Sequence, residues 1–208
     1  MLATLAARRW GDTISGIIIA VPVVAGPILL ILGLDQGAPF VHHAARAALL
    51  GIVAVGAFCV ACARCLHLGW PMAIGVGWLA YALTTVVLVG VDSAVWVGLA
   101  VALAAIAIAR RLTGAPASEP RARPEPPPWD LPARAGATAA LVVALTSAAS
   151  AIGPSVSGPL TPFPLATSVV VAFTLSQAGR DPAIRVLRGY LTGLPGFAAF
   201  FVIVTLLT

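Results

Sequence analysis

Two segments of this 208-residue chain place hydroxyl, glycine and proline residues inside strongly apolar surroundings. Residues 11–22 read GDTISGIIIAVP and residues 153–164 read GPSVSGPLTPFP. Proline removes a backbone donor and clashes with the carbonyl one turn back, while glycine permits close backbone approach. Such segments should leave N–H and C=O groups unpaired at membrane depth. That is tolerable only where they are buried in protein or line a wet cavity. With the Ser15 and Ser157 hydroxyls, those groups could bind a small polar or anionic solute. Candidate binding residues are Ser15, Gly16, Pro22, Ser157, Gly158, Thr161 and Pro164, with Arg46 and Arg188 facing an anion from opposite mouths of a pathway. The same small residues also suit close helix packing, and the two arginines suit headgroup snorkelling. Both alternatives stand at this point.

Other residues invite different chemistry. Cys59, Cys62 and Cys65, with His67 beyond, form C-x2-C-x2-C. On a helix the three thiols spread over about 120°, an arrangement open to a soft metal. Closed zinc or iron–sulfur sites prefer loops that wrap the ion, and buried cysteine commonly serves as a small hydrophobe; no metal and no cofactor is expected. His42 and His43 point about 100° apart on a helix, a poor bidentate pair. The seven acids, Asp12, Asp35, Asp92, Glu119, Glu125, Asp130 and Asp181, fall at span ends or in loops. A proton-coupled pump normally needs a buried acid, and no His or Lys stands at membrane depth to activate a serine. An enzyme is not expected.

The elements that must position these residues follow from hydropathy. The chain is 60% hydrophobic and only 9% charged, against about 25% charged residues in ordinary globular chains. Apolar runs cover roughly 13–34, 39–63, 69–90, 93–110, 133–151, 155–177 and 186–208, predicting an all-α integral membrane protein of about seven spans. Residues 113–134 hold seven prolines and form a solvated tether. The organisation is therefore a first half, 1–112, a tether, 113–132, and a second half, 133–208. All twelve basic residues are Arg, which with the Ala, Gly and Pro richness suggests a GC-rich bacterial genome.

Seven spans put eleven arginines on one side and Arg46 alone on the other. The positive-inside rule then places the N-terminus and tether in the cytoplasm and the C-terminus outside a bacterial inner membrane. Treating both proline-bearing segments as re-entrant hairpins leaves five spans and divides the arginines six to six, so the charge bias selects seven. Scattered loop arginines orient spans and do not point to nucleic acid. No cleavage site ends a short apolar leader, so the first span is expected to insert uncleaved. Trp10, Trp70, Trp129 and Trp96 suit an aromatic belt, and mid-span Trp78 suits packing.

Shifted by 142 residues, the halves register without a gap. Gly11, Ser15, Gly16, Pro22, Gly37, Arg46, Leu49, Gly51, Phe58 and Val60 meet identical residues at 153, 157, 158, 164, 179, 188, 191, 193, 200 and 202. The equivalent spans are the first and the sixth, an odd separation, so the copies form an inverted-topology repeat. Secondary transporters recurrently use this plan, with substrate at discontinuous helices near the midplane. The second copy is richer in Ser and Thr and is the better candidate for lining a pathway.

The stretches SGPLTPFPLATSVVVAF (157–173) and RGYLTGLPGFAAFF (188–201) resemble GlpM-like small bacterial inner-membrane proteins, a family associated with alginate production. Ser157, Gly158, Phe163, Pro164 and Arg188 carry the resemblance, echoed by Ser15, Gly16, Pro22 and Arg46. It covers about 60 residues in each half and implies an inner-membrane protein without an assigned activity, in a lineage where a single unit pairs as a dimer and a fused version pairs with itself. A full span precedes the second breaker segment but only ten residues precede the first. Either the true start lies upstream, or a homodimeric or other membrane partner covers that flank. The leading expectation is a secondary transporter or permease; the alternative is a non-transporting accessory or scaffold subunit of an envelope assembly.

Overall fold

The computed structural model describes residues 12–20, 37–88, 90–91, 93–117, 129–152 and 163–207. Within them every regular element is helical: α1 (Asp12–Ile19), α2 (Ala38–Cys65) with a 3-10 turn at Leu66–Leu68, α3 (Trp70–Leu88), α4 (Val95–Leu112), α5 (Asp130–Ile152), α6 (Leu165–Ala178) and α7 (Arg180–Leu207). Four stretches are long and apolar enough to cross a bilayer: Phe40–Leu68, Trp70–Leu88, Val95–Leu112 and Arg180–Leu207. The chain thus has the make-up of an all-helical membrane protein. Pro22, Ser157, Gly158 and Thr161 lie outside the described residues.

α2 and α7 form the centre. Leu49, Ile52, Val55 and Phe58 from α2 and Leu187, Leu191, Leu194 and Phe201 from α7 are fully buried in one apolar core. α2 buries 61% of its spanning window, whereas α3 and α4 bury 22% each and turn broad apolar faces outward. Both central helices are 28 residues long. Each follows a glycine in a left-handed conformation, Gly37 at φ 83° and Gly179 at φ 86°, where a side chain would be strained. α7 begins at Arg180, six residues before the apolar run at 186. Asp181 favours the positive end of the helix, and Pro182 in the first turn loses no intrahelical bond.

Polar contacts fix helix directions. Arg46 on α2 donates through Nε and Nη2 to the Ser93 carbonyl just before α4. At the other end of the same pair, Arg64 Nε donates to the Leu112 carbonyl at 3.4 Å. α2 and α4 therefore run parallel. Arg188 on α7 donates to the carbonyls of Gly114 (2.7 Å) and Arg110 (3.3 Å), so α7 enters where α4 leaves. Arg46 and Arg188 accordingly sit at opposite ends of the 18-residue α4, about 27 Å apart along its axis, and α2 and α7 are antiparallel.

α1 lies parallel to α7 with almost no side chain between them. A methyl group on Gly16 would meet the Tyr190 amide nitrogen at 2.5 Å and overlap the Val186 carbonyl oxygen. One on Gly189 would overlap the Thr13 carbonyl oxygen, and one on Gly193 would meet Ala20 Cβ at 2.5 Å. Gly16 and Ala20 on one helix thus cross Gly189 and Gly193 on the other, the small-residue spacing that lets backbones touch in membranes. Gly189→Ala should destabilise by about 1–3 kcal/mol through overpacking. Gly196→Ala has nothing within 4 Å to meet, and should be neutral or gain up to about 1 kcal/mol of helix propensity. Thermal unfolding of the purified variants in detergent checks the pair.

Candidate functional site

α6 has 14 residues, a length of about 21 Å, short of the roughly 30 Å hydrocarbon core. Its N-cap is Pro164, which supplies no side-chain hydrogen bond to the first turn. Just ahead, the Phe163 carbonyl accepts the Leu165 N–H at 2.8 Å in a tight turn. The Phe163 ring lies 5.7 Å from that of Trp78 and 5.1 Å, edge-on, from that of Tyr81. Trp78 and Tyr81 occupy the middle of the 19-residue α3. The α6 N-terminus therefore lies beside the centre of a spanning helix rather than at the edge of the bundle.

Ser168 closes part of this turn. Its hydroxyl donates to the Pro164 carbonyl at 2.7 Å and accepts the Trp78 indole N–H at 2.9 Å. Thr167 differs. Thr84, Thr113, Thr138, Thr192 and Thr205 each donate to the carbonyl four residues back at 2.7–2.8 Å, the usual way a helix satisfies a threonine. For Thr167 that carbonyl belongs to Phe163, which stands outside the helix and already takes the Leu165 N–H. The Thr167 hydroxyl is 0% exposed and turns instead toward the Tyr190 phenol. The Tyr190 phenol of α7 lies beside it, with Cys59 of α2 and Tyr81 of α3 close to that phenol. Four helices thus meet at the start of α6.

Of the residues singled out from sequence, Pro164 is buried at this junction. Ser15 and Gly16 lie on α1 where it crosses α7; Gly16 faces the Tyr190 backbone, and Ser15 is fully buried with no hydrogen-bond partner among the described residues. Tyr190 is therefore the residue that α1 and α6 share. Arg46 and Arg188 are not brought together, each engaging carbonyls at its own end of α4. Trp78, expected to pack, also donates the hydrogen bond that anchors Ser168. Tyr81 and Tyr190 went unremarked in sequence, although they are the only two tyrosines in the chain. A mid-span tyrosine carries a hydroxyl that must find a partner, and that signal was available.

Cys59 and Cys62 are buried free thiols and Cys65 is half-buried. Among the described residues no group of three or more His, Cys, Asp and Glu could hold a metal ion. His67 Nδ1 lies 2.9 Å from the Arg64 carbonyl, turned to its own chain. His42 is half-buried near the start of α2.

The far end of α6 is held by charge. Asp130 Oδ1 accepts from Arg134 Nε at 2.9 Å and from Gln177 Nε2 at 2.7 Å, and the Arg134 guanidinium sits 5.0 Å over the Phe173 ring. Both ionic groups are buried. Removing one partner strands the other charge, at about 3–5 kcal/mol. Asp130→Asn should therefore lower the unfolding midpoint strongly, while replacing Asp130 and Arg134 together by leucine and methionine should restore most of it. Denaturant titration in mixed micelles measures both. No family model matches the chain, and neither a curated protein nor a solved structure does.

Proposed function

We propose that this protein is a small secondary transporter or permease of a bacterial inner membrane, moving a small polar or anionic solute past the start of α6. One observation carries the proposal: α6, capped by Pro164, begins beside the middle of α3, so a helix starts at the depth of a spanning helix's centre. Helix ends at this depth are costly unless protein, water or a ligand meets their polar groups, and transporters use them as binding sites.

The proposed frame is an inverted repeat of about seven spans with the N-terminus and tether cytoplasmic. Several facts support it. Ala38 and Arg180, where α2 and α7 begin, are 142 residues apart, as are Cys65 and Leu207, where they end. Gly37 and Gly179 share a left-handed φ. The parallel pairs α1–α7 and α2–α4 and the antiparallel pair α4–α7 each have the direction that seven successive spans require. Arg46 and Arg188 bond at opposite ends of α4. The resemblance to GlpM-like proteins accords with an inner-membrane location.

A non-transporting accessory subunit is the second reading. The outward apolar faces of α3 and α4 and the bare-backbone contact of α1 with α7 favour it. Flux into proteoliposomes separates the two. Some small polar or anionic solute should enter with the wild-type chain, and Pro164→Ala should slow it at least tenfold while the protein still folds. Failure of every solute across a broad screen would favour the subunit. Topology is checked in a background with all three cysteines replaced. A cysteine at Ser93, beside Arg46, should react with an impermeant maleimide in intact cells, and one at Ala117 only after permeabilisation. Labelling of both from one side would overturn the inverted repeat.

A further inference from the structure

We propose that the arginine-rich end shared by α2, α4 and α7 binds the phosphate headgroup of an anionic phospholipid from the surrounding bilayer, a role independent of the transport reading. Six of the eight arginines among the described residues stand at this end. Arg64 lies in the last turn of α2, Arg110 and Arg111 in the last turn of α4, and Arg180, Arg185 and Arg188 in the first three turns of α7. The described acids nearby are fewer. Asp12 begins α1, which runs parallel to α7, and Asp181 in the first turn of α7 accepts the Ala117 N–H at 3.3 Å. Asp130 is matched by Arg134. The end therefore carries a positive excess.

Backbone acceptors draw the charges together. Arg64 Nε donates to the Leu112 carbonyl, and Arg188 Nη1 to those of Arg110 and Gly114. Both guanidinium groups thus gather on residues 110–114. Each has five N–H donors and engages this stretch through one nitrogen alone. Their bonds also cover the carbonyls whose partial negative charge would repel an anion at a helix C-terminus. Arg110 and Arg111 project from the same turn and are exposed, and nothing among the described residues bonds to either guanidinium. Four guanidinium groups at one helix end suit phosphate oxygens, which pair with the planar fork.

The apolar surface leading to them identifies a lipid as the source of that phosphate. Val97, Val101, Ile108 and Leu112 are all exposed. At 3.6 residues per turn they share one side of α4, and Arg111 falls on that side. Acyl chains can lie along this stripe while their headgroup meets Arg111, an arrangement that a soluble phosphate does not use. Trp70, exposed just beyond the end of α2, suits the headgroup level of the same bilayer face. Basic clusters at such a position attract anionic lipids.

The test is native mass spectrometry of the purified full-length chain from micelles carrying equal amounts of phosphatidylglycerol and phosphatidylcholine of one chain length. Wild type should retain phosphatidylglycerol in at least tenfold preference. Arg110→Gln combined with Arg111→Gln removes two charges and no bond among the described residues. Its thermal unfolding in phosphatidylcholine micelles should match wild type, while the lipid preference falls about tenfold or more. Should that variant fail to fold, Arg111→Gln alone carries the same test. Arg110→Lys with Arg111→Lys, which keeps the charge, should hold most of the preference. An unchanged preference in the glutamine variant overturns the site, as does its absence from wild type. A preference that emerges only in Glu119→Gln with Glu125→Gln assigns the arginines to the tether's own acids and likewise overturns it. Displacement of the lipid by millimolar sodium phosphate overturns the lipid as the source.

Discussion

A backbone N–H or C=O without a partner is far more costly in hydrocarbon than in water, because nothing outside the chain can bond to it. This constraint explains why α2 and α7 stay helical for 28 residues each, α7 even across Pro195, while the non-helical backbone at Phe163 and Pro164 packs against other helices. It also explains the use of arginine at the helix ends. Arg46, Arg64 and Arg188 each donate to carbonyls at a terminus of α4, where the helix cannot satisfy its own last acceptors or the loop its first. The guanidinium groups thus serve the backbone as much as the bilayer surface.

The same constraint gives small residues their place. α1 has only eight residues, too few to be stable alone, and it holds to α7 by direct backbone contact at Gly16 and Gly189. The first half of the chain is thereby fastened to the last helix of the second. The two halves are interlocked rather than set side by side, and Tyr190 lies where that fastening meets the start of α6.

Much of the fold was legible in the sequence. Apolar runs bounded by glycine gave the approximate extents of α2, α3 and α4, because hydrophobic length and left-handed turns are local properties. The start of α7 was not, since Arg180, Asp181 and Arg185 read as loop charges, yet they lie on the first two turns of the helix, where Asp181 favours its positive end. The site was legible only in part. Pro164 announced a break, but Thr167 and Thr205 are the same residue type in similar apolar surroundings. They differ in whether the carbonyl four residues earlier belongs to the helix, and that depends on Pro164 together with the turn at Phe163. Trp78 and Tyr81 joined the site through contacts about 80 to 90 residues distant in sequence, which no local pattern encodes.

The brace of Asp130, Arg134 and Gln177 makes the two ends of α6 mechanically unequal. The C-terminal end is tied to the buried ion pair of α5 through the Gln177 amide and the Phe173 ring, whereas the N-terminal end, among the described residues, is held by aromatic rings and Ser168 without a charged partner. A rigid rod so mounted behaves as a lever with its fulcrum at the charged end. Any tilt of α6 therefore sweeps the Pro164 end furthest, so the greatest displacement falls at the junction of the four helices.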